Sequence, residues 1–286
     1  MITLKRISIH ACFLFLLCFV SSYAFSQEIA IATHAQYKNF VNSTTYVVKN
    51  DNPFGSYNAA IEQAMKKHWY LTKYVIITSS EFEKKRTDRD ASFLFLSEAI
   101  AEKREDLRFN ILNVVMGSKS SNMNNMPDLG SVPLSYSFED EEFEDEGYLY
   151  RIGAILRFIQ YYIDVNSKRP DTDIKTLVKE NSKDIKSKEI WFVKDDLDND
   201  VNTEAKIANF YSGQVRIVTE SEIEAAIDAR NPDVLILHKL GPGEGNSGKC
   251  LKFIISAADG IPYYYNITEI SSKNPDAFLS SDFKKL

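Results

Sequence analysis

The chain has 286 residues, 44% of them hydrophobic and 26% charged, with 34 Lys+Arg against 40 Asp+Glu. This balance belongs to a folded globular protein and excludes disordered, collagen-like and disulfide-scaffold chains. A net charge of −6 also excludes a nucleic-acid binder held by bulk charge, because phosphate contacts demand a basic surface.

Residues 1–26 read as a cleaved signal peptide. Lys5 and Arg6 form a basic start, Ala11 to Val20 an apolar run, and Ala24-Phe25-Ser26 places small residues at the −3 and −1 positions. The apolar run is about ten residues, too short for a bilayer core of roughly 30 Å. Cleavage is expected before Gln27, giving a secreted or periplasmic protein. Cys12 and Cys18 leave with the leader, so Cys250 is the sole mature thiol and no internal disulfide forms. Without a cross-link, stability must come from apolar burial, for which the remaining length supplies enough for two cores. No later segment approaches 18 apolar residues, so no transmembrane segment is expected in the mature chain.

After the leader, Thr45 to Val48 reads as a strand, followed by a turn with Pro53 and Gly55. A helix then carries Ala60, Ile61, Ala64, Met65 and His68 at three- and four-residue spacing. Tyr74 to Thr78 is the next strand, Ser80 is the expected cap of a short acidic helix, and Ser92 to Leu96 leads into a hairpin with Phe109–Val115. Glu139 to Glu146 holds seven acids broken only by Phe143. With the Ser- and Asn-rich stretch before it, this is read as an insertion over 118–147, solvated and self-repelling. Leu149, Ile152, Leu156, Ile159 and Ile163 then mark a long helix over 148–164, and 169–187 reads as a linker with a weakly amphipathic helix.

The chain next repeats itself. Ile76 to Leu96 aligns without a gap on Ile217 to Leu237 at an offset of 141, with eight of 21 pairs identical. Tyr46-Val47-Val48-Lys49 likewise matches Trp191-Phe192-Val193-Lys194 at an offset of 145. The second copy reads as strand Ile190–Val193, helix Glu204–Tyr211, strand Val215–Val218, helix Glu222–Ala229 and strand Val234–Leu237. Strands Leu251–Ile255 and Tyr263–Ile267 follow, joined by an Ala258-Asp259-Gly260 turn. The expected fold class is therefore α/β, two tandem mixed-sheet βαβαβββ repeats, over residues 27–168 and 188–286.

Several patterns invite chemical readings. Gly243-Glu244-Gly245-Asn246-Ser247-Gly248-Lys249-Cys250 approaches a phosphate-cradling loop, but Cys250 lacks the required hydroxyl and a strand follows where a helix is needed. A flexible hairpin loop is the preferred reading. Asp196, Asp198 and Asp200, continued by Asn202 and Glu204, alternate like calcium ligands. Val201 replaces the turn glycine and Ile207 the bidentate acid, so the same residues also fit a solvated turn capped by Asn202 or Thr203. His34, His68 and His238 share no ligand spacing, and no nucleophile elbow is present. His238 ends a strand, and open α/β sheets bind ligands at strand ends. Asn50, Asp51, Asp195 and His238 are thus the candidate lining of an inter-repeat cleft. Tyr161-Tyr162 and Tyr263-Tyr264-Tyr265 supply ring surface that serves either a half-buried sheet or a sugar or peptide.

The order strand, helix, strand, acidic helix, strand and hairpin, with Asp233-Val234-Leu235 and the Asp259-Gly260 turn, resembles the amino-terminal α/β domain of the TolB translocation protein and the related domain of the curli-secretion lipoprotein. The leader and overall pattern also resemble secreted proteins of Bacteroidota. The resemblance implies an α/β fold and an envelope setting and carries over no catalytic residue. The expected role is a non-enzymatic exported module with an envelope or secreted protein partner and no cofactor, calcium being the one metal with candidate ligands. A hydrolase or ligand-binding enzyme with its site between the repeats is the alternative.

Overall fold

A computed structural model describes residues 30–52, 55–101, 104–138, 146–243 and 245–286. The stretch expected to be a signal peptide, Pro53, the acids at 139–145 and Glu244 lie outside the described residues. The first repeat begins with a helix the sequence pattern did not announce, α1 (His34–Phe40), started by a reciprocal cap between Thr33 and Gln36. Strand β1 (Thr44–Val48), helix α2 (Tyr57–His68), β2 (Lys73–Ile77), α3 (Ser79–Lys85), β3 (Ser92–Ala101), β4 (Arg104–Met116) and β5 (Asp128–Phe138) follow. They form one sheet in the order β2-β1-β3-β4-β5. β1 pairs parallel with β2 and β3, whereas β3, β4 and β5 are antiparallel. The structure thus places β5 inside the stretch read as an insertion. The expected cap Ser80 is displaced by Thr78, whose hydroxyl and Glu81 carboxylate close the capping box.

Helices α4 (Ile152–Lys168) and α5 (Ile174–Asn181) lead to β6 (Glu189–Phe192), α6 (Glu204–Ile207), β7 (Gln214–Ile217) and α7 (Glu220–Asp228). Strands β8 (Val234–Leu240), β9 (Lys249–Ser256) and β10 (Pro262–Glu269) and a last turn of helix, α8 (Ser280–Phe283), complete the chain. The second sheet runs β7-β6-β8-β9-β10, the same order and sense as the first. The Thr219–Glu222 capping box of α7 repeats that of α3, and the two start 141 residues apart, as in the aligned sequence. Thr44 faces Lys73 and Glu189 faces Gln214, which preserves both aligned offsets. β8 has slid by two residues: Tyr46 faces Phe93, but Trp191 faces Ile236. A slip of two keeps every side chain on its own face. Helix α6 is shorter than its pattern suggests, because Asn209 and Phe210 turn back on Lys206 and Ile207 with three-residue bonds that end the α-helix.

The apolar interior is not divided between the repeats as expected. The largest cluster joins Val47, Ile61, Met65, Leu94 and Leu112 of the first repeat to Val218, Ile223, Ile227, Val234 and Ile236 of the second. Helix α4 lies at its centre, every residue from Ile152 to Gln160 buried. Leu156, Ile159 and Ile163 are fully enclosed, each contributing about 1.5–3 kcal/mol.

The two repeats offer unlike faces to this core. Val48, Ile77, Phe82 and Phe93 form a separate small cluster around α3, yet their aligned counterparts Val193, Val218, Ile223 and Val234 belong to the shared core. Conversely, Val47 and Leu94 lie in the shared core, while Phe192 and Leu235, their counterparts, pack with Phe278 and Phe283 on the far side of the second sheet. The repeats therefore associate head to tail, without the two-fold symmetry that a duplicated scaffold suggests. This arrangement explains why α6 is vestigial: the second sheet's α2-type face is closed by the C-terminal segment.

Candidate functional site

The head-to-tail packing runs β5 of the first sheet past β8 and β9 of the second, and polar stitches fix the seam. The Tyr136 hydroxyl donates to the Lys249 carbonyl at 2.7 Å and accepts from the Lys249 amide at 3.2 Å. His238 is fully buried and its Nε2 lies 2.8 Å from the Pro133 carbonyl, so Nε2 carries the proton and donates. Burial, then the charge of Arg151, lowers its pKa to about 4 and keeps the ring neutral.

A second junction lies across α4. Arg157, 1% exposed, donates through Nη1 to the carbonyls of Ile227 (2.7 Å) and Ala257 (2.5 Å) and through Nη2 to His68 Nδ1 at 2.7 Å. The proton of His68 therefore sits on Nε2, 3.1 Å from Asp228 Oδ1. Burial and the neighbouring guanidinium lower the His68 pKa to about 4. Gly153 is required here, because a β-carbon would stand 2.5 Å from the His68 ring. Gln160 completes the junction by accepting from the amides of Tyr70 and Leu71, where α2 hands over to β2.

Between these stitches the seam opens into a pocket of about 480 Å³ lined by both repeats. β5 supplies Asp128 to Pro133 and Tyr136, α1 and α4 supply Tyr37, Phe158, Ile159 and Tyr162, and β9 and β10 supply Leu251, Phe253, Tyr265 and Ile267. Its rings are in contact: Phe158 and Phe253 meet edge to face at 4.8 Å, Phe158 and Tyr162 at 6.1 Å, and Phe253 and Tyr265 at 6.0 Å. The pocket has the size and apolar, aromatic character of small-molecule sites, which span roughly 300–1,000 Å³. At one end Asp128 Oδ1 accepts from the Gly130 amide (3.1 Å) and the Ser131 hydroxyl (2.8 Å). Burial raises the Asp128 pKa against the pull of those bonds.

The residues expected to line a cleft do not gather. His238 is enclosed between β8 and β5. Asn50 accepts from the Asn52 amide and bonds Asn58, while Asp51 accepts from the Ser79 hydroxyl, all within the first repeat. Asp195 and Asp196 border a different, polar recess of about 180 Å³ with Arg151, Glu220 and Lys239. This recess sits beyond the ends of β6 and β8, where the strand order reverses. Asp196 pairs with Arg151 at 2.5 Å, Asp198 accepts from the Asp200 amide at 3.0 Å, and Asp200 is exposed. Asp196 and Asp198 thus serve different partners, and Thr203 caps α6. Among the described residues no three histidines, cysteines or acids group as a metal site would require. The glycine-rich 243–250 segment joins two strands, β8 and β9, with left-handed Gly243 and Gly245. Cys250 is buried and its thiol is pushed up to about 12, chiefly by burial.

The sequence held two signals for the pocket, the Tyr161-Tyr162 doublet and the tyrosine run of β10. A bulge between Pro262 and Tyr264 breaks the alternation and leaves Tyr265 on the pocket wall. Asp128 carries no such signal, because Gly130, Pro133 and the serines of β5 dilute its strand pattern. Compared with known proteins, the chain matches no family model, no curated protein and no solved structure. Among the described residues no helix is long and apolar enough to cross a membrane.

Proposed function

We propose that this is an exported, non-enzymatic binding module that receives an apolar group in the pocket between its repeats. The observation that carries this reading is the aromatic cavity of about 480 Å³ built jointly by β5, α4, β9 and β10, rigidly framed by the seam bonds. Its walls offer contact area and a few hydrogen-bonding groups, the requirements of recognition. The signal-peptide pattern of residues 1–26 supports action outside the cytoplasm, and the resemblance of the element order to envelope α/β domains is in keeping with a partner there.

The test uses N-phenyl-1-naphthylamine, a neutral apolar dye that brightens out of water. Titration of the protein is expected to show saturable binding at one site. A β-carbon at Gly130 would stand 3.5 Å from Ile159 and 3.6 Å from Tyr162, so Gly130→Phe fills the space and is expected to weaken binding by about tenfold or more, about 1.4 kcal/mol. Ile267→Lys, at a pocket-lining position 47% exposed, should weaken it without touching the core. Unsaturable dye binding, or binding indifferent to both changes, would reject the reading.

A further inference from the structure

The pocket's acidic end narrows the ligand, given the reading above. Asp128 is held in place by its backbone: its amide donates to Ala30 at 2.7 Å and its carbonyl accepts from Ala32 at 2.9 Å, one rung of a parallel bridge to Ile31. Both hydrogen bonds to its carboxylate go to Oδ1. No lysine, arginine or histidine among the described residues pairs with it, although Lys249 lines the same pocket; that ammonium is 64% exposed and lies 3.8 Å from Glu269. Tyr37 and Tyr162 stand edge to face at 6.5 Å on the same wall. Asp173 lies on the same wall, its carboxylate capping α5.

A partly buried carboxylate that lines an aromatic pocket without a basic partner among the described residues is an incomplete pair. A hydrated metal ion would find too few oxygen donors and too many rings. An organic ammonium completes the pair, because its charge meets the carboxylate and its body and ring faces meet the aromatic wall. We propose that the pocket binds amphipathic monocations, amines carrying an aromatic or alkyl body, with Asp128 as counter-ion and Tyr37, Tyr162 and Phe158 as the surrounding rings.

Three probes with one body and different charge test this: phenylbutylamine, phenylbutanol and phenylbutyrate, each titrated by calorimetry. The amine is expected to bind about tenfold or more tighter than the alcohol, and the carboxylate weakest. Asp128→Asn retains an oxygen for Gly130 and Ser131, so the fold is kept; it should erase the amine's advantage while leaving the alcohol's affinity unchanged. Equal binding of amine and alcohol, or a preference that survives Asp128→Asn, overturns the inference. If the alcohol binds equally and Gly130→Phe abolishes it, the apolar pocket stands and the cation preference alone falls. If none of the three binds although the naphthylamine dye does, the inference again falls alone; failure of the dye as well removes the pocket reading with it.

Discussion

Asp282→Ala is expected to cost about 3–5 kcal/mol in denaturant unfolding, the effect of stripping a buried charge of its partner. Asp282 and Lys252 are 1% and 0% exposed and lie 2.5 Å apart. The same carboxylate accepts from the Tyr264 hydroxyl (2.7 Å), the Asn266 amide group (3.0 Å) and the Leu279 backbone amide (3.0 Å). Burial opposes its ionisation, but these donors together hold its pKa below the usual carboxylate range. Alanine would strand an ammonium and three further donors at once. Lys252→Met leaves the carboxylate three neutral donors and should cost less, about 1–3 kcal/mol. A loss from Asp282→Ala under about 1 kcal/mol, or equal losses from the two changes, would contradict this account. The consequence extends beyond one pair, since Asp282 fixes α8 and with it Phe278 and Phe283 over the second sheet.

Arg157→Ala should also be damaging, about 2–5 kcal/mol from buried acceptors left unpaired, and should act on both repeats together. It would leave the Ala257 carbonyl and His68 Nδ1 without this donor and the Ile227 carbonyl with the Arg230 amide in its place. The turn they support is tight, because a β-carbon at the left-handed Gly260 would lie 2.2 Å from the Phe158 amide. Hydrogen exchange should report loss of protection in α2 and α7 alike; loss confined to one repeat would show that the junction does not couple them.

The same seam sets an acid sensitivity. His68 and His238 both titrate at about 4 when folded, below the ordinary value of about 6.5. Each binds fewer protons folded than unfolded, so its contribution is complete above pH about 6.5 and declines as pH falls toward 4. Unfolding midpoints should drop between pH 7 and pH 5. His238→Gln, which can still donate to the Pro133 carbonyl, should drop less; an identical slope would exclude His238 as a source.

Most of the fold was legible because repeated positions speak twice. The aligned offsets of 141 and 145 anticipated β2 and β7, α3 and α7, and their common neighbours, and the apolar stripe of α4 was read correctly on one side. Its other side was not, since Arg157 and Gln160 look like surface residues until the partners that satisfy them are in place. Strand β5 escaped for a related reason: Gly130, Pro133 and alternating serines dilute its apolar signal. The candidate site suffered most from this. Asn50, Asp51 and Asp195 lie past strand ends as expected, whereas β8 runs on to Leu240 and holds His238 within the ladder opposite Phe253; convergence depends on how the repeats pack, which neither copy encodes alone. Asp128 and the ring wall arise from that packing.

The unlike faces joined by α4 also constrain ancestry. Had identical subunits first met as a rotational dimer and later fused, equivalent surfaces would still touch; here a front meets a back. The arrangement is that of a stack, one unit behind the other, with α8 and Leu286 packed on the far side of the second sheet. Neither unit could be released without baring one side of α4, so the two repeats share a single interior.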